Sequence, residues 1–140
     1  MLVMALQQQL RAVGIALDVR SFEFATFYSD ISHGSFGLYS LIWIGGNEDP
    51  DIFRYAFATS SFPPRGANRG DYSNPTVDRL LQEAASDPTQ EERRAAYVQV
   101  QQILANDLPS LPLWFIDSVV IYNRRLSGVT ASPSGNFYFL

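Results

Sequence analysis

The chain has 140 residues, 46% hydrophobic and 14% aromatic, which fits one packed domain or part of one and excludes a disordered chain. A net charge of -4 and a pI near 4.8, with Arg93-Arg94 and Arg124-Arg125 as the only basic doublets, argue against a nucleic-acid partner. Cysteine is absent, which excludes disulfides and thiol chemistry, and no apolar run is long enough to span a bilayer.

Leu2, Leu6, Leu10 and Val13 fall on one helical stripe, with Gly14 as a natural stop. No N-cap precedes that stripe, and no basic segment precedes a long apolar core. The sequence therefore predicts no signal peptide and a chain that starts inside a helix. Ile15, Leu17 and Val19 alternate as a half-buried strand does. Phe24, Phe27, Tyr28 and Ile31 return to helical spacing, closed by Gly34. Residues 36–44 are nearly all apolar and predict a central strand.

The stretch Trp43-Ile44-Gly45-Gly46-Asn47-Glu48-Asp49-Pro50-Asp51 is then a polar loop entering a short helix, with Asp49 as N-cap and Pro50 at N1. In open α/β sheets, strand-to-helix loops of this kind are where ligands bind. Residues 60–72 form a long irregular loop. Asn74-Pro75 starts a helix with a buried stripe of Val77, Leu80, Leu81 and Ala84. Asp87-Pro88-Thr89-Gln90 has the same cap logic, and the helix it starts buries Ala96, Val100, Ile103 and Leu104 and ends near Asp107. Residues 111–115 and 119–122 predict two strands. A turn at 132–136 precedes a last strand at 137–140.

Few residues suggest chemistry. His33 is the only histidine and sits at a helix end, where a structural role suffices. Glu48, Asp49 and Asp51 lack calcium-loop spacing and suit a helix N-terminus, so neither a metal site nor an acid/base pair is expected. Gly45-Gly46 allows close backbone approach, without a phosphate-loop motif around it. Trp43 is placed either to stack on a ligand or to join the core. The ten basic residues are all arginine and scattered, which reads as composition and not as one anion-recognition cluster.

Several features in one order carry more than any alone. They are Leu10-x-x-x-Gly14-Ile15, Trp43-x-Gly45-x-x-x-Asp49-Pro50-Asp51, and Asn68-x-x-x-Tyr72-x-Asn74-Pro75-x-x-Asp78-x-Leu80-Leu81. Glu92-Arg93 with Tyr97 and Gln101 follows, then Asp107-x-Pro109-x-Leu111-Pro112-Leu113. The series resembles the C-terminal part of the peptide/nickel-type extracytoplasmic solute-binding proteins of ABC importers. That resemblance implies an α/β fold, part of the second of two lobes, with a mixed sheet and flanking helices. Residues 1–110 would be the partial lobe, and strands in 111–140 would cross back toward the first. It also implies a periplasmic or extracytoplasmic receptor without catalysis or cofactor, which takes a peptide or small-molecule ligand and delivers it to an ABC permease in the membrane.

The implied ligand contacts are Trp43, Gly45, Gly46, Asn47 and Asn68. Peptide-binding members place an aspartate where this chain has Gly46, and that aspartate pairs with the ligand's amine. A charged amine would be left unpaired here, so a neutral or anionic solute or a blocked peptide is favoured. The alternative is an interaction module that pairs with a separate first lobe or self-associates through an exposed sheet edge.

Overall fold

A computed structural model describes residues 2–43, 49–86, 88–114 and 119–130. Five α-helices follow in order: α1 (Leu2–Ala12), α2 (Phe24–Ser32), α3 (Ile52–Phe57), α4 (Pro75–Ala85) and α5 (Gln90–Asp107), with a 3-10 turn at Thr59–Ser61.

The core is built on α4 and α5, which pack side by side. Asn74 caps α4 by accepting from the N–H groups of Thr76 and Val77 at 3.0 and 3.4 Å, and Pro75 opens the first turn. The stripe Val77, Leu80, Leu81 and Ala84 is buried as its spacing predicts. It meets Ala96, Tyr97, Val100 and Leu104 of α5, and Phe53, Phe57, Tyr72 and Ile103 pack around them. The start of α5 differs from expectation. Its capping box joins Thr89 to Glu92, whose carboxylate accepts from the Thr89 N–H at 2.9 Å. A box needs an acid or amide three residues after a hydroxyl, and Thr89-x-x-Glu92 meets that spacing. These two bonds, the side chain first, hold the Glu92 carboxyl below its ordinary pKa. At the other end Leu108 turns left-handed (φ 49°), which stops the helix just before Pro109.

The long loop between α3 and α4 is fixed by side chains. Asp78 accepts from the Thr59 N–H at 2.8 Å and from its hydroxyl at 2.6 Å. Asp107 accepts from the Tyr72 hydroxyl at 2.6 Å and from the Asn74 amide at 3.0 Å. Burial first, and then the Asp107 carboxylate, push the Tyr72 phenol up to about 12. Gly66 lies so close to the 3-10 turn that an added Cβ would stand 2.6 Å from the Ser61 carbonyl oxygen.

The first third is tied down less. Gly14 (φ 84°) closes α1 and Gly34 (φ 72°) closes α2, as expected. Val13, assigned to the buried stripe of α1, is exposed. In α2 Ile31 is fully buried, while Phe24 and Tyr28 are exposed.

The expected α/β class is corrected by the structure: the described residues form helices and coil, with no strand or sheet. The described parts of the segments expected as strands, within 15–19, 36–44, 111–115 and 119–122, are coil without ladder partners. Alternation fixes which side chains share a face, but a strand exists only where a second segment takes up its N–H and C=O groups. No described segment does so, and their apolar residues face water: Leu38 is 70% exposed, Val119 76% and Ile121 94%. The crossing strands expected in 111–140 are therefore not found in 111–114 or 119–130. Their last member at 137–140, and the turn before it, lie outside the described residues. Without a sheet, the exposed sheet edge expected to drive self-association has no counterpart among the described residues.

Candidate functional site

Two concavities flank the segment singled out by sequence. The larger is an open cleft of about 650 Å³ between the start of α3 and the α4–α5 junction, lined by Asp49, Asp51, Arg54, Tyr55, Ala84 and Arg93 among others. Its charges are paired. Asp49 Oδ1 accepts from the Asp51 N–H at 2.8 Å and from Arg93 Nη2 at 2.6 Å. Asp51 takes both ends of the Arg54 guanidinium, at 2.9 and 2.6 Å. The Asp51 N–H bond first, and then Arg93, hold the Asp49 carboxyl below its ordinary pKa. Hydrogen bonding to Asp49 raises Arg93, and hydrogen bonding to Asp51 raises Arg54.

Asp49 thus caps the turn at Pro50-Asp51 as a cap residue should, although the helical residues proper begin at Ile52 after Asp51. Arg93, read from sequence as one of a solvated doublet, instead reaches back 44 residues to Asp49 and lies over the Tyr97 ring at 5.4 Å. The Tyr97 hydroxyl is buried without a hydrogen-bond partner among the described residues, and burial raises its pKa.

The smaller concavity is a hollow of about 50 Å³ whose lining includes Tyr39, Trp43, Asn68, Arg69, Gly70 and Ser110. Two of the residues named from sequence, Trp43 and Asn68, come together here. Trp43 is 49% exposed and meets Tyr55 edge-on at 6.4 Å between ring centroids. Asn68 is 2% exposed. Its amide nitrogen donates to the carbonyls of Ala58 (3.0 Å) and Tyr72 (2.7 Å), and its oxygen accepts from the Tyr72 N–H at 3.1 Å. Both amide hydrogens are thus spent inside the chain. Gly45, Gly46 and Asn47 lie outside the described residues, as does Glu48.

Arg69 was missed in the sequence, where nothing sets it apart from nine other arginines. It is 7% exposed, its Nη2 donates to the Tyr28 hydroxyl at 2.9 Å, and its guanidinium lies over the Tyr28 ring at 4.9 Å. The carboxylates suited to metals do not gather: no group of three or more His, Cys, Asp or Glu is placed to hold an ion among the described residues.

No family model matches the chain, and no solved structure matches it. Relatives are found among curated proteins. The chain is 26% identical over 93% of its length to the probable di/tripeptide-binding protein 5 of Pseudomonas aeruginosa. It is 31% identical over 69% of its length to the peptide transport periplasmic protein SapA of Salmonella typhimurium. It is 28% identical over 88% of its length to the heme-binding protein A of Haemophilus influenzae. It spans only 25%, 18% and 22% of those proteins. These matches bear out the resemblance read from the motifs: over most of its length the chain is related to one part of the peptide-binding, extracytoplasmic solute-binding proteins of ABC importers.

Proposed function

We propose that this chain contributes to solute capture as part of an extracytoplasmic receptor that supplies an ABC permease. The observation that carries the reading is the similarity to a di/tripeptide-binding protein over 93% of the chain. Among the described residues no helix is long and apolar enough to cross a membrane, which agrees with a receptor working in the periplasm. The reading needs no catalytic group: the cleft's charges are paired with one another, and the relatives' names describe binding and transport.

In this reading the ligand contacts are Trp43, backbone groups at Gly45-Gly46, Asn47 and the surroundings of Asn68. Trp43 offers a half-exposed aromatic face at the mouth of the small hollow. The ligand is peptide-like or another small solute, and a free amine is disfavoured. Position 46 is glycine, and the nearby Asp49 carboxylate is already held by Arg93 and the Asp51 N–H.

Tryptophan fluorescence and calorimetry with a pool of free and N-acetylated di- and tripeptides test the reading. Saturable binding is expected, weakened roughly tenfold in Trp43→Ala by loss of an aromatic contact. Saturable binding unchanged in Trp43→Ala removes the stacking role. No saturable binding by any member of the pool overturns peptide-like solute capture.

A further inference from the structure

The hollow beside Trp43 contains a chemical imbalance. Arg69 is 7% exposed, yet its Nε and Nη1 have no hydrogen-bond partner and no acid pairs with it among the described residues. The neighbouring hydroxyl of Tyr28 and its ring face satisfy one nitrogen and part of the charge. A guanidinium stays cationic at physiological pH, and burying it without a counter-charge is unfavourable. The other arginines that lack an acid partner here, such as Arg11, Arg65 and Arg94, lie in water and incur no such cost.

We propose that Arg69 is the anchor for a carboxylate of the bound solute, seated in the hollow between Trp43, Asn68 and Ser110. This rests on the solute-capture reading and adds the chemical class of the ligand. Three observations favour a small ligand's carboxylate over an acidic side chain of another polypeptide. The hollow holds about 50 Å³, room for one planar group of a few atoms. Trp43, beside it, offers an aromatic face for whatever the carboxylate is attached to. The cleft's own cations, Arg54 and Arg93, are committed to Asp51 and Asp49, which leaves Arg69 as the cation at this site with donors unspent among the described residues. A planar guanidinium fork matches a carboxylate in geometry, and charge-assisted bonds of this kind are about twice as strong as neutral ones. Both free nitrogens are shielded from water, so entry requires the wall at Trp43 or Ser110 to part, and binding should report on the Trp43 environment.

The test is a matched pair of probes, N-acetyl-dialanine and its C-terminal amide, titrated against the wild-type chain, Arg69→Gln and Arg69→Lys. The acid is expected to bind at least roughly tenfold more tightly than the amide. Arg69→Gln is expected to abolish that preference, and Arg69→Lys to keep only part of it, because lysine retains the charge and loses the fork. The wild-type comparison needs no variant, so it stands even if Arg69→Gln fails to fold. Equal binding of acid and amide, or a preference that survives in Arg69→Gln, overturns the carboxylate anchor and leaves solute capture standing. No saturable binding by either probe, or by any peptide of the pool used above, overturns both.

Discussion

The segment 52–107 and the segments on either side of it are equally rich in apolar residues and behave in opposite ways. In the first, Leu81, Val77 and Val100 are fully buried and every helix start is closed by a named neighbour. In the others, Leu38, Leu111, Val119 and Ile121 stand in water. The difference lies in where each pattern finds its complement. A helix satisfies its backbone within itself, and α4 and α5 lie within a few residues of each other, so their stripes meet locally. An extended segment needs a partner from elsewhere, and the described residues supply none.

The largest test of that contrast is a pair of truncations. Leu81→Ala is expected to lower unfolding free energy by about 3 kcal/mol, while Leu38→Ala changes it by less than about 0.5 kcal/mol. Urea denaturation followed by far-ultraviolet circular dichroism reads both. Equal effects would mean that 36–43 is packed in solution and that the contrast is false. A smaller effect sharpens the role of the loop. Asn68→Ala leaves two carbonyls and one N–H without their partner, and is expected to cost about 2 kcal/mol. If it alters ligand affinity without altering stability, Asn68 is a ligand contact first and a loop clamp second.

The smallest is a pH effect. The Tyr72 phenol titrates at about 12 when folded and near 10 as an ordinary phenol, so between those values the folded chain holds more protons. Stability should therefore fall as pH rises from 10 to 12, by about 1–2 kcal/mol once its partial exposure is allowed for. Tyr72→Phe should flatten that part of the profile, and an unchanged slope would show that the Asp107 contact does not hold in solution.

What could be read in advance follows the same division. The α4 cap, its stripe, the stop at Leu108 and the glycine ends of α1 and α2 were legible because each is set by neighbours in sequence. The strands were not, since alternation at 15–19 or 119–122 says nothing about a partner. Arg93 and Arg69 were missed for a related reason: their partners, Asp49 and Tyr28, are 44 and 41 residues away. The motif that carried the resemblance also has a physical explanation. Asn68, Tyr72, Asn74, Asp78 and Asp107 form the hydrogen bonds that fasten the long loop to α4 and α5. Trp43 and Asn68 were named for ligand contact and share one hollow, while the residues between Trp43 and Asp49 lie outside the described part.

The water-facing side chains of 111–114 and 119–122 also set how the chain behaves as a colloid. Apolar groups presented singly are harmless, but several on consecutive extended residues invite sticking between molecules. Mutual repulsion from a net charge of -4 is the opposing force, and it weakens as added salt shortens its range. The concentration at which the chain remains dispersed therefore depends on ionic strength, independently of how firmly α4 and α5 hold together.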